Sequence, residues 1–317
     1  MGNKTGDSGA TVPMIVSASY KTDIPAFFGR WFMNRLRRGE CRMVNPWGGQ
    51  VTRVPLDPAG VSGLVFWTKN LGPFLASLEE IRAAGYAFTI QYSINGYPRA
   101  LETNVIDPER SATHMRRLRA RYGPRVAVWR YDPLLMTSLT PPEWHIENFR
   151  RLAARLEGTT DEVIVSFAHI YRKTRRNLSA AGKAGGFAWH DPEAASKRAL
   201  IATLARIAGA ASIGLTVCAQ PEFAPDGIPG ASCIDAARLS DVAGRPIAAR
   251  LKGNRPGCLC HGSRDIGAYD TCPHGCVYCY AVADTARAKA RFRDHDEDGE
   301  FLFPPASQAR RRASAGR

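Results

Sequence analysis

The sequence predicts an α/β fold, a full or partial parallel (β/α) barrel, and three observations lead there. Short β-branched or aromatic runs alternate with longer helical patterns over the first two thirds of the chain, the period of a strand giving way to that of a helix each time. Several of the short runs are apolar throughout, as parallel strands covered on both faces are. Six alternations of this kind favour one parallel sheet, either open and doubly wound or closed as a barrel.

The first strand is expected at 14–19 (MIVSAS). Asp23 then caps a helix that starts near Pro25 and runs through FFGRWFMNRL, because a carboxylate accepts from the free N–H groups of a first turn. Residues 39–56 break the alternation and read as a hairpin insertion. Further strands follow at 64–68 (LVFWT), 87–94 (AFTIQYSI), 126–131 (VAVWRY), 162–167 (EVIVSF) and 213–219 (IGLTVCA). Helices over 73–84, 108–122, 142–156 and 192–208 separate them, each followed closely by a glycine that can stop it. From Gln220 the composition shifts to Gly, Pro and Cys, with a short helix at 281–291. The expected division is a disordered 1–13, a partial barrel over 14–220, a cysteine-rich lobe over 221–291, and a basic flexible tail over 292–317. No internal repeat recurs at a fixed period.

The chain carries 43 Lys and Arg against 29 Asp and Glu, a net charge of +14. Such an excess draws phosphates, so a nucleic acid or nucleotide is an expected partner. Arg116, Arg117, Arg119, Arg121 and Arg125, with Arg172, Lys173, Arg175 and Arg176, are candidates to track a phosphate backbone; an ordinary solvated helix face is the alternative. No apolar run is long enough to span a bilayer, and the polar N-terminus lacks the core of a signal peptide. A cytoplasmic protein without a membrane partner is expected. In that compartment clustered thiols favour metal over disulfides, and seven of the eight cysteines fall between 218 and 279.

Cys272-Pro-His-Gly-Cys276-Val-Tyr-Cys279 sets three thiols in a C-x3-C-x2-C spacing with an aromatic residue before the last. Three thiolates on one short loop can hold three corners of a cubane cluster and leave one iron open, whereas a structural zinc is normally closed by a fourth ligand. At these residues the sequence resembles the radical S-adenosylmethionine superfamily. The resemblance implies a [4Fe–4S] cluster on Cys272, Cys276 and Cys279, with S-adenosylmethionine chelated at the open iron and Tyr278 near its adenine. It further implies an electron from a donor such as flavodoxin or ferredoxin, and a 5′-deoxyadenosyl radical as the product of cleavage. The stretches from Ser17 to Phe27, Phe66 to Asn70, Trp129 to Pro133 and Asp265 to Cys272 also resemble an uncharacterised bacterial family with such cysteines at its C-terminus. Phe66-Trp-Thr-Lys-Asn70 and Arg130-Tyr-Asp-Pro133 are more weakly similar to the spore photoproduct lyase branch, which repairs DNA. Typical superfamily members place the triplet near the first barrel strand and follow it with a Gly-Gly-Glu segment. Here the triplet lies near the end and no such segment follows; a permuted strand order would bring the first strand beside the cluster loop.

Cys218, Cys233, Cys258 and Cys260 remain, and Cys258-Leu-Cys260 is too tight for an unstrained disulfide. They are candidates for a second metal site, zinc or an auxiliary iron–sulfur cluster, or else are buried thiols. Ligands of parallel sheets gather at the carboxyl ends of the strands, where polar residues recur. Tyr278, Ser17, Ser19 and Asn70 are the candidate cofactor contacts there. Lys69, Arg130 and Asp132 are the candidate catalytic groups, the two cations suited to a carboxylate or phosphate and Asp132 placed to orient Arg130. A radical S-adenosylmethionine enzyme is the leading expectation. The alternatives are a non-enzymatic nucleic-acid-binding protein stabilised by zinc or iron–sulfur, and an iron–sulfur electron carrier.

Overall fold

A computed structural model describes residues 13–46 and 48–305. The expected disordered N-terminus, but for its last residue, and residues 306–317 of the expected tail lie outside them. In chain order the elements are β1 (Met14–Ala18), α1 (Ile24–Phe27), α2 (Gly29–Arg37), β2 (Glu40–Val44), β3 (Val51–Pro55), β4 (Val61–Thr68), α3 (Leu75–Ala83) and β5 (Phe88–Ser93). Next come α4 (Pro108–Tyr122), β6 (Ala127–Leu134), β7 (Met136–Thr137), α5 (Pro142–Leu156), β8 (Glu162–Phe167), α6 (Arg172–Gly185), β9 (Trp189–His190) and α7 (Ala194–Ala210). The chain continues through β10 (Gly214–Val217), α8 (Ala236–Ala243), β11 (Ser263–Asp265) and α9 (Thr285–Arg293).

Seven strands form one parallel sheet in the order β10-β8-β6-β5-β4-β1-β11. The six expected strands are six of these, and 39–56 is the antiparallel hairpin β2–β3. The seventh strand returns from the far end of the chain to lie against β1, with Ser17 opposite Asp265. Among the described residues the two outer strands do not pair with each other, so the sheet is open and the full barrel is not found. What covers its inner face is helix α8 and the irregular chain around it rather than further strands.

Side chains alternate across the strands with a period of two. One face sends Phe66, Ile90 and Trp129 into a large core with Trp31, Leu78, Met115 and Phe149 of the helices. The other sends Ile15, Val65, Val128 and Ile164 against Ala231, Ile234, Leu239 and Ile247. The cysteine-rich stretch 221–291 is therefore not set apart as a lobe: it supplies a strand to the sheet and the cover of one face. Residues 292–305, expected to open a flexible tail, pack instead on α2. Trp31 Nε1 donates to Gly299 O (2.9 Å), and Phe301 and Leu302 are buried. Those apolar side chains anchor an otherwise polar run.

Candidate metal centre

The loop that follows β11 carries the cysteine triplet, and Asp265 at the end of that strand fixes where the loop starts. Its carboxylate accepts from Ser17 Oγ (2.9 Å), Ser19 Oγ (2.8 Å) and the N–H groups of Tyr20 and Gly267 (both 3.0 Å), and pairs with Lys21 Nζ at 3.3 Å. Ser17 and Ser19, expected to touch a cofactor, thus tie β1 to β11. Gly267 is obligatory here, since a Cβ on it would stand 2.0 Å from Ser19 Oγ.

The triplet itself is laid along the segment after β5. Val277 N donates to Leu101 O (3.1 Å), while Asn104 donates through its backbone to His274 O and through Nδ2 to Pro273 O (both 2.9 Å). Gly275 takes φ +75°, a left-handed turn that lets the loop fold back at that point. His274 Nε2 lies 2.7 Å from Asp23 Oδ2, and Asp23 also caps α1 through Ala26 N (2.9 Å) and accepts from Lys69 N (2.7 Å). One carboxylate therefore joins the helix start, the end of β4 and the cysteine loop.

Cys272, Cys276 and Cys279 keep some exposure to solvent, yet burial pushes all three thiols up. Nearby thiolates raise two of them further: Cys272 feels Cys279, and Cys276 feels both others. Lys69 acts the other way on Cys276 and Cys279. Three sulfurs crowded like this ionise together only if positive charge enters among them, which is what an iron–sulfur cluster supplies. The donor set fits the group. Lys69 Nζ pairs with Glu102 Oε1 (2.8 Å), Glu102 accepts from the hydroxyl of Tyr278, and Asn95 Nδ2 reaches both Glu102 (3.2 Å) and that hydroxyl (3.1 Å). Burial works against the charge of Lys69, but Glu102 and Cys276 outweigh it and keep the ammonium protonated above its ordinary range. A cleft of about 210 Å³ runs past Asn95, Tyr97, Arg99, Glu102 and Arg151.

The other candidates gather across the inner face. Arg130 is 5 % exposed, and its guanidinium meets Gln91 Oε1 (3.1 Å), Cys233 Sγ (2.9 Å) and the carboxylate of Asp132, which in turn accepts from Ser166 Oγ. Asp132 thus pairs with Arg130 across the inner face. Cys218 and Cys233 lie 3.5 Å apart, Cys260 interacts with Cys233, and Cys258 with Cys260. The Cys260 thiol beside Cys258 pulls it down to about 6, against burial. Asn70 stands elsewhere: its Oδ1 accepts from Gly72 N (3.0 Å) and closes a turn. Among the described residues no three or more His, Cys, Asp or Glu side chains are grouped as ligands of one metal ion. Sulfurs bound to separate corners of a cluster stand farther apart than ligands of one ion. Sequence reasoning missed Asp23, Asn95, Glu102, Asp265 and His274 as parts of the site. Asp23, Asp265 and His274 are within or beside the stretches that carry the family resemblance, whereas Asn95 and Glu102 sit in a loop without pattern.

A parallel sheet with cysteines on a loop at its carboxyl edge defines an α/β protein with a candidate metal centre. The sequence profile of the domain of unknown function DUF1848 matches residues 15–281, and the chain belongs to that family. No curated protein and no solved structure matches the chain.

Proposed function

We propose that Cys272, Cys276 and Cys279 hold a [4Fe–4S] cluster and that the protein is a radical S-adenosylmethionine enzyme acting on a nucleotide or nucleic acid. The observation that carries this reading is the place of β11. Because β11 pairs in parallel with β1, the cysteine loop leaves the carboxyl edge of the sheet, where ligands of such sheets bind. Counted from β11, the strands follow one another across the sheet as β11, β1, β4, β5, β6, β8 and β10. The order is that of a parallel barrel cut open after its first strand, with the cluster loop after that strand.

When bound, the cluster with S-adenosylmethionine would supply a 5′-deoxyadenosyl radical given one electron from a reductant of the ferredoxin or flavodoxin class. The chain's own residues would do the rest. Lys69 offsets thiolate charge, the Glu102–Tyr278–Asn95 network fixes the aromatic ring of the motif, and Asp23 and His274 hold the loop to β4. None of these replaces the absent Gly-Gly-Glu segment by sequence, so an acceptor for the methionine amine has to come from other side chains; Glu102 is the nearest acidic group to the triplet's cation.

The test is an anaerobic purification with iron and sulfide counted, followed by S-adenosylmethionine and dithionite. About four irons per chain at the triplet and release of 5′-deoxyadenosine are expected, and Cys276→Ser should remove both. A full cluster without 5′-deoxyadenosine makes the protein an electron carrier, and iron content unaffected by Cys276→Ser moves the ligands elsewhere.

A further inference from the structure

We propose that Cys218, Cys233, Cys258 and Cys260 bind one tetrahedral metal ion of the zinc class, separate from the triplet. Three parts of the chain bring these thiols together: the end of β10, the loop before α8, and the C-x-C turn ahead of β11. Cys218 and Cys233 stand with sulfurs 3.5 Å apart, and Cys260 is near enough to Cys233 and to Cys258 to influence both thiols. Cys258 also lies close enough to Cys218 to feel its charge; the four thiols share one neighbourhood, although among the described residues no three of them stand as ligands around one point. With metal–sulfur bonds of about 2.3 Å, tetrahedral geometry puts neighbouring sulfurs about 3.8 Å apart. The one sulfur spacing seen directly is thus near that of a single ion and too short for sulfurs on separate corners of a cubane.

What surrounds the sulfurs distinguishes this site from a disulfide or from idle core thiols. Arg130 Nη1 is 2.9 Å from Cys233 Sγ, Arg255 Nη2 is 3.8 Å from Cys218 Sγ, and Ile234 N donates to Cys260 Sγ at 3.4 Å. Neutral thiols and disulfides have no need of two guanidinium groups and an amide aimed at sulfur. Four thiolates around a divalent ion carry a net charge of −2, which Arg255 and Arg130 offset, Arg130 sharing its charge with Asp132, and N–H donors to the sulfurs are the usual outer shell of such sites. As the ion enters, each protonated thiol releases its proton to solvent and forms a metal–sulfur bond, and no electron is transferred. Binding gathers the four sulfurs around one point. The ion would clamp 231–260 onto the sheet, with Gln91 Nε2 bonded to Cys233 O (2.9 Å) beneath it.

The inference does not depend on the triplet, and one variant separates them. In full-length protein with Cys272, Cys276 and Cys279 all changed to Ser, one zinc per chain is expected to remain while iron is lost. Cys258→Ser with Cys260→Ser should lose that zinc and keep the triplet iron. If those variants fail to fold, wild-type protein stripped by a chelator and titrated with cobalt gives the same answer. The intense visible and near-ultraviolet bands of tetrahedral cobalt thiolate should saturate at one equivalent and vanish on adding zinc. Absence of those bands overturns the proposal, as does a Cys218–Cys233 disulfide in protein isolated without oxygen. So do iron and sulfide, in place of zinc, in the triple-serine variant.

Discussion

His145 shows how single buried residues support the site at a distance. It is wholly buried: its Nε2 lies 3.1 Å from Leu135 O and its Nδ1 3.0 Å from the hydroxyl of Tyr131. Asn148 Nδ2 donates to that hydroxyl (3.0 Å) and to Asn95 O (2.7 Å), and Asn95 continues to Tyr278 of the cysteine motif. Tyr131 already receives a proton from Asn148, so it donates to His145, and a second ring proton would have no acceptor. Burial accordingly pulls the histidine down to about 4 from the ordinary value near 6.5. A lowered histidine favours the native state fully above the unfolded value and loses that benefit as pH falls toward the folded one. Denaturant unfolding between pH 6.5 and 4 should therefore show stability falling by about 3 kcal/mol from this residue. His145→Gln should flatten the curve in that window; an unchanged slope would show that the proton goes elsewhere.

Among the elements, β11 is the shortest strand of the sheet, yet it determines where the cysteine loop begins. Three residues of ladder are weak alone, and the carboxylate of Asp265 with its five partners offsets that weakness. Asp265→Ala would strand Lys21 and two backbone N–H groups in a buried setting, a loss of about 3–5 kcal/mol. Urea titration checks the value, and a loss below about 1 kcal/mol would mean that β11 is held by its ladder. The same strand explains what was legible in the sequence and what was not. Strands β1, β4, β5, β6, β8 and β10 announce themselves because a face-covered strand needs a run such as LVFWT or EVIVSF. Helices α4 and α5 have proline starts that make their bounds plain. Ser-Arg-Asp of β11 carries no apolar signal, since its place depends on a carboxylate meeting two serines far away in the chain. Helix α6 was missed for a related reason: it buries only Thr174, Leu178 and Gly182, too few to mark a period. The triplet was readable because its spacing is local. Its supports, Glu102 and Asn95 in one loop and Asp23 in another, come from two other segments and become neighbours only in the fold.

For the molecule as a whole, the positive charge is less available than the composition suggests. Arg121 makes a two-pronged pair with Glu79, Arg37 with Glu80, and Arg125 joins Asp161 and Asp241. Within the expected phosphate-tracking row, Arg121 and Arg125 are thus already engaged, while Arg116, Arg117 and Arg119 are exposed. Lys173 lies over the ring of Tyr269 (5.3 Å) and stands close enough to Cys279 to lower it. A nucleic acid bound across these groups should lose more than about tenfold in affinity between 50 and 200 mM salt. Titration of a labelled oligonucleotide at the two concentrations is the check, and a flat response removes nucleic acid as a partner. The pairing of the first and last strands has a further consequence, for how the chain is made. Ser17 and Asp265 are 248 residues apart in the sequence, and ribosomes add roughly 5–20 residues each second. Throughout that interval the opening strand waits with an uncovered flank, the kind that invites pairing with other chains. Under the proposed function the three sulfurs that receive iron follow Asp265 closely in the chain, so loading the cluster and sealing the sheet belong to the same moment of biosynthesis.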